Sequence, residues 1–199
     1  MVAVITGDIV KSRKVPSTYW MDTLKYTLKE IGGSSKYWEI YRGDSFQVEV
    51  KKELGFESAI KLKSNIKKIN RLDVRTAIGI GIKTFEGEKV SESNGSAFQY
   101  SGECYENLKK QTLAIKTDSE EIDEALNLMF ELSSYIFRNW TVTVSNIITE
   151  ALKHPKATQE ELAANLKIKQ SNVSRGLKRG GYDEIIKLNN YYKKIVSSL

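Results

Sequence analysis

Two acidic side chains are spaced for work on phosphate. Asp8 ends the apolar run Val2-Ala-Val-Ile-Thr-Gly-Asp-Ile-Val10, and Asp44 sits in Glu39-Ile-Tyr-Arg-Gly-Asp-Ser-Phe-Gln-Val48. Carboxylates at neighbouring strand ends suit Mg²⁺, a hard ion held by one or two protein carboxylates and completed by water and phosphate oxygens. Gly-Asp is also ordinary turn chemistry, in which glycine supplies positive φ and aspartate bonds its own backbone. Both readings are open at this level. A single cysteine, Cys104, excludes an internal disulfide, and a single histidine, His154, builds no zinc site by itself. His154 reads instead as the C-terminal residue of a helix, where the dipole favours it.

Charge narrows the partners. Residues 141–199 hold ten Lys and Arg against five Asp and Glu, whereas the first 140 residues hold 21 against 20. The surplus points the last third of the chain toward phosphates. No apolar stretch approaches the roughly 20 residues that span a bilayer. Met1-Val-Ala-Val-Ile5 is too short for a secretion signal, so the expectation is a cytoplasmic chain with no membrane contact.

The elements that must position the two aspartates alternate in period. Val2–Thr6 reads as a buried strand, and Ser17–Ile31 as a helix through Trp20, Leu24, Leu28 and Ile31. Tyr37–Tyr41 and Phe46–Lys51 read as a hairpin around Arg42-Gly-Asp-Ser45, and 56–69 as a second helix. Residues 73–84 alternate, with Val74, Thr76, Ile78, Ile80 and Ile82 on one face and Gly79 and Gly81 on the other, where something must press close. A helix over 97–111, a strand over 112–117 and a long amphipathic helix over 119–140 follow. The order predicts an α+β, ferredoxin-like or palm sheet with helices over 1–117, and a connector helix over 118–140. Leu126, Met129, Phe130, Leu132, Ile136 and Phe137 make that connector a packing or dimer element, so a homodimer is expected.

Four segments in order resemble the class III nucleotide cyclase catalytic domain and, more loosely, the GGDEF palm. They are Ile5-Thr-Gly-Asp-Ile-Val10, Tyr41-Arg-Gly-Asp-Ser-Phe46, Thr76-Ala-Ile-Gly-Ile-Gly-Ile82 and Gly95-Ser-Ala-Phe-Gln-Tyr-Ser-Gly-Glu-Cys104. The whole chain is similar to the SatD family. The cyclase resemblance implies that Asp8 and Asp44 hold Mg²⁺ and that a nucleotide ligand lies near Gly43. It also implies that the Ile9, Val10, Lys11 and Ser12 amides cradle phosphates as the chain enters the first helix, with charge from Lys11 and Arg13. The positions of the family's ribose asparagine and transition-state arginine fall on Gln99 and Glu103, and its base-reading lysine on Ile40. Phosphoryl transfer depends on placed positive charge, so an acid at 103 points to a nucleotide pocket whose catalysis has degenerated. An active nucleotidyl-transfer enzyme, localised by its basic module, is the alternative.

Residues 141–199 resemble a helix-turn-helix domain. Thr158-Gln-Glu-Glu161 is a capping box, followed by the inward-facing Leu162, Ala163 and Leu166. The next helix opens on Gln170, Ser171 and Asn172, turns Val173 and Leu177 inward and leaves Ser174, Arg175, Lys178 and Arg179 outward. Amides read adenine and arginine reads guanine in a major groove, so DNA is the expected partner. Gly180-Gly181 closes that helix, and Tyr182–Val196 forms the last one.

Overall fold

A computed structural model describes residues 1–199. Five strands form one mixed sheet in the order β2-β3-β1-β4-β5: β1 Val2–Val10, β2 Trp38–Tyr41, β3 Ser45–Lys51, β4 Asp73–Gly81 and β5 Leu113–Lys116. All neighbours are antiparallel except β4 and β5. The register fixes the two faces. Ala3, Ile5 and Ile9 lie opposite Ile80, Ile78 and Val74 and turn into the main core. Thr6 and Asp8 lie opposite Ala77 and Arg75 and turn to the other side.

Helices α1 (Met21–Gly32) and α2 (Gly55–Lys67) follow β1 and β3. They contribute Leu24, Leu28, Phe56, Ile60 and Ile66 to the 29-residue core on the first face. Helix α3 (Ser96–Glu106) crosses the second face, lying over the β4 glycines. A Cβ on Gly79 would collide with the backbone of Ala97 and Ser101, which is the close neighbour the glycine alternation requires. Ser101 Oγ and Thr6 Oγ1, 3.0 Å apart, join α3 to β1.

The long helix α4 (Glu120–Arg138) seals the β5 edge, where Asn127 accepts from the Ile115 amide at 2.8 Å and donates to its carbonyl at 2.9 Å. Its Phe130 stacks on Phe56 with centroids 4.7 Å apart. Helix α8 (Tyr182–Val196) completes the same core: Tyr192 tilts against Phe56 and donates its hydroxyl to the Lys52 carbonyl at 2.8 Å. Helix α5 (Val142–Lys153) serves two cores. Val144 and Ile148 belong to the large one, while Ile147 and Ala151 form a small one with Leu162 and Ala163 of α6 (Gln159–Leu166) and Val173 of α7 (Gln170–Arg179).

Several boundaries differ from the periodicity. Helix α1 starts at Met21, because Ser17–Tyr19 form a separate 3₁₀ turn after Pro16. β4 stops at Gly81, and Ile82, expected on the buried face, is 56% exposed where the chain turns toward α3. Helix α3 ends at Glu106 rather than 111: Asn107 caps it by donating from Nδ2 to the Glu103 carbonyl at 2.8 Å, and Lys109 then adopts φ 47°. Leu132, expected to pack, is 60% exposed on α4.

Candidate functional site

Asp8 and Asp44 are brought to one end of the sheet. Asp8 pairs across the ladder with Ser45, the residue after Asp44. The hairpin reverses through left-handed Arg42 (φ 52°) and Gly43 (φ 87°), and the Asp44 carbonyl accepts from the Ile9 amide at 3.2 Å. Both carboxylates line a cleft of about 520 Å³ together with Ile9, Val10, Lys11, Ser12 and Arg13. A second cleft of about 410 Å³ shares Ser12, Arg13 and Asp44 and adds Arg42, Gly43 and Trp20. Lys11 is left-handed (φ 65°) and starts a 3₁₀ turn, so the strand does not run directly into α1, and the Ile9 amide is already engaged.

Arg75, directly opposite Asp8 on β4, occupies both oxygens of that carboxylate: Nε donates to Oδ1 at 2.9 Å and Nη2 to Oδ2 at 3.0 Å. The Tyr105 ring lies 5.7 Å from the guanidinium, which the bond to Asp8 raises further above its ordinary pKa. Burial, then the charge of Asp8, pushes the Tyr105 hydroxyl up to about 12, so it is a neutral donor at physiological pH. Asp44 Oδ2 accepts from Ser12 Oγ at 2.5 Å. As arranged, this donor set offers a magnesium ion one carboxylate oxygen with no hydrogen-bond donor on it, Asp44 Oδ1. Mg²⁺ demands free carboxylate oxygens in near-octahedral array, whereas one carboxylate is closed by a bidentate guanidinium. No group of three or more Asp, Glu, His or Cys side chains is placed to hold a metal ion.

Gln99 does not join this cleft. Helix α3 begins beside Ile82, whose amide donates to Ser96 Oγ at 2.9 Å, and runs back along β4. It is therefore the C-terminal end of α3, with Tyr105 and the turn carrying Lys109 and Lys110, that reaches Asp8. Gln99 and Glu103 are solvent-exposed, and Glu103 is paired with Lys116. Arg75, Tyr105, Lys109 and Lys110 escaped the sequence reading. Arg75 left one signal, a charge alternating with Val74 and Thr76 on the same strand face and strand end as Asp8.

A second surface lies on α7. The Thr158 capping box opens α6, with Thr158 N donating to Glu161 Oε2 at 2.7 Å and Glu161 N to Thr158 Oγ1 at 3.2 Å. Left-handed Lys167 (φ 55°) ends it, and three residues later, at Gln170, α7 begins. Val173 and Gly176 are buried on α7, and a side chain at 176 would strike Ile147 of α5. Gln170, Ser171, Asn172, Ser174, Arg175, Lys178 and Arg179 are all exposed. Arg175 Nη2 donates to Asn172 Oδ1 at 2.6 Å, and Gln170 Nε2 to Gln159 Oε1 at 2.7 Å, which tethers the outward polar groups in place.

A family model described as the SatD family matches residues 1–195. The chain belongs to the SatD family. Comparison with curated proteins and with solved structures returned no match. In this SatD-family chain no helix is long and apolar enough to cross a membrane. His154 caps α5, its Nε2 lying 3.3 Å from Glu150 Oε1, and touches neither surface described above.

Proposed function

We propose that this SatD-family chain is a ligand-responsive DNA-binding protein, with α6 and α7 as a helix-turn-helix and α7 as the helix that enters the major groove. One observation carries the reading: α7 buries Val173 and Gly176 against α5 and leaves two amide side chains, Arg175, Lys178 and Arg179 exposed to solvent. Such a face can pair with base edges and phosphates at once. Two copies acting as a homodimer would present two such helices to paired half-sites.

We read the sheet unit as a ferredoxin-like, cyclase-like palm that binds a nucleotide at the strand-end cleft. The order β2-β3-β1-β4, with β1 central and helices between β1 and β2 and between β3 and β4, supports that reading. Binding is favoured over turnover, since Glu103 stands exposed on Lys116 and Asp8 is neutralised by Arg75. Helix α5, packed in both cores, is the element that would relay occupancy to α7.

The test is fluorescence anisotropy of the full chain on duplex DNA at about 0.1 M salt, where phosphate contacts still count. Lys178→Gln with Arg179→Gln should weaken binding on all sequences and flatten the slope of log K against log salt by about 2. Gln170→Ala should weaken binding by a sequence-dependent factor. Absence of DNA retention by the parent chain would overturn the reading.

A further inference from the structure

The strand-end cleft carries more positive charge than its two carboxylates can answer: Lys11, Arg13, Lys14, Arg75, Lys109 and Lys110 line it, against Asp8 and Asp44. The cations come from both walls, one group following β1 and the other following α3. Arg75 is fixed there. Its Nε and one Nη2 hydrogen are spent on Asp8, the Tyr105 ring stands 5.7 Å away, and its side chain is 36% exposed. A guanidinium has five N–H donors, so those on Nη1 remain for a ligand, with a positive charge no metal has to supply. Lys109 and Lys110 are exposed on the turn opposite, as are Lys11 and Arg13 after β1. A second cleft continues from the first through Ser12, Arg13 and Asp44, giving room for a group attached to the phosphates.

We infer that the cleft binds a polyphosphate chain as its metal-free anion, with the Arg75 guanidinium, rather than a magnesium ion, supplying the positive charge beside Asp8 and Asp44. The inference rests on the ligand-binding half of the proposed function and changes its chemistry. Arginine grips phosphate through planar, charge-assisted hydrogen bonds, and lysines add point charges around it. Magnesium competes in this arrangement, because it chelates the phosphate chain and cancels part of the charge that the cleft recognises.

Isothermal titration of the full chain with ATP, GTP and inorganic triphosphate, each in EDTA and in excess magnesium chloride, separates the alternatives. Binding in EDTA should be at least about tenfold tighter than in magnesium, a difference of about 1.4 kcal/mol. Arg75→Gln, and separately Lys109→Gln with Lys110→Gln, should each weaken binding in EDTA by about tenfold or more. Asp8→Asn should leave it within about threefold or tighten it, since an asparagine oxygen still accepts from Arg75 and one negative charge is gone. Tighter binding of ATP or GTP than of inorganic triphosphate identifies a nucleotide, and equal binding identifies the bare phosphate chain; both support the inference. The lysine pair lies on an exposed turn, so that variant remains decisive if the strand variants melt early. Binding that requires magnesium and vanishes in Asp8→Asn overturns the inference and leaves the cleft a nucleotide site. No binding under either condition overturns both, while the DNA-retention result stands apart.

Discussion

Replacing Gly79 with alanine tests how tightly α3 is set on the sheet. A Cβ there would sit 2.9 Å from Ser101 Cα and nearer still to two backbone atoms, the Ala97 carbonyl oxygen and the Ser101 amide nitrogen. Carbon atoms rest at roughly 3.5–4.0 Å, so α3 must retreat by roughly 0.6–1.1 Å. A gap of that size forfeits about a quarter to a half of each dispersion contact it opens. The contacts at risk are those of Ala77, Leu108 and Ala114 around Cys104. Overpacking against backbone belongs at the upper end of the usual range, about 3 kcal/mol, or a melting temperature lower by roughly 6–12 °C for a chain of this size. The single cysteine supplies a local assay. Burial pushes the Cys104 thiol up to about 12, so it reacts slowly with a disulfide reagent in the parent chain. Gly79→Ala should raise its labelling rate under native conditions about tenfold or more. A variant that melts and labels like the parent would refute the close docking of α3.

Other expectations concern charge, caps and the Tyr192 contact. Lys63 is buried, its ammonium held 2.8 Å from Asp73 Oδ1 and 2.8 Å from the Val74 carbonyl, and burial lowers its pKa. Asp73→Ala should therefore cost about 3 kcal/mol in urea titration, whereas Lys63→Met, which leaves Asp73 its contact with Lys67, should cost less than about 1. Burial pushes the Asp73 carboxyl up, but Lys63 and Lys67 override it and hold the pKa below the ordinary value. Its contribution is thus fully present above about pH 3.9 and lost as pH falls through the lower folded value; Asp73→Ala should flatten that acid limb of the stability curve. Thr158→Ala should cost about 1 kcal/mol and speed hydrogen exchange in α6 before other helices. Tyr192→Phe removes one of two donors to the Lys52 carbonyl, which keeps the Gly55 amide, and should cost about 0.5–1.5 kcal/mol by chemical denaturation.

Local rules made much of this legible. The capping box at Thr158, α7 at Gln170–Arg179 and α8 at Tyr182–Val196 stand where period, cap and glycine signals put them. So do the hairpin around Arg42-Gly43 and the α3 contact demanded by Gly79. The cleft was half legible. Asp8 and Asp44 converge because β1 and β3 pair, but which end of α3 reaches them depends on the direction in which that helix recrosses β4. Counting from Gly95 selected the N-terminal end, and with it Gln99, instead of Tyr105 and the lysines beyond. Arg75 is a partner of Asp8 only through a ladder register 67 residues apart in sequence, which no local pattern encodes.

The stack of Phe56, Phe130 and Tyr192 draws its three rings from α2, α4 and α8, and the Tyr192 hydroxyl closes on Lys52 across 140 residues of chain. Closing so long a loop must precede the reward of its contacts, an order that slows folding. Until α8 arrives, Phe56 and Phe130 present an open aromatic face, the kind of surface on which chaperones hold and aggregates grow. Refolding of this chain should accordingly be slow and concentration-sensitive, and mutations that loosen α8 should reduce soluble yield well beyond their effect on equilibrium stability.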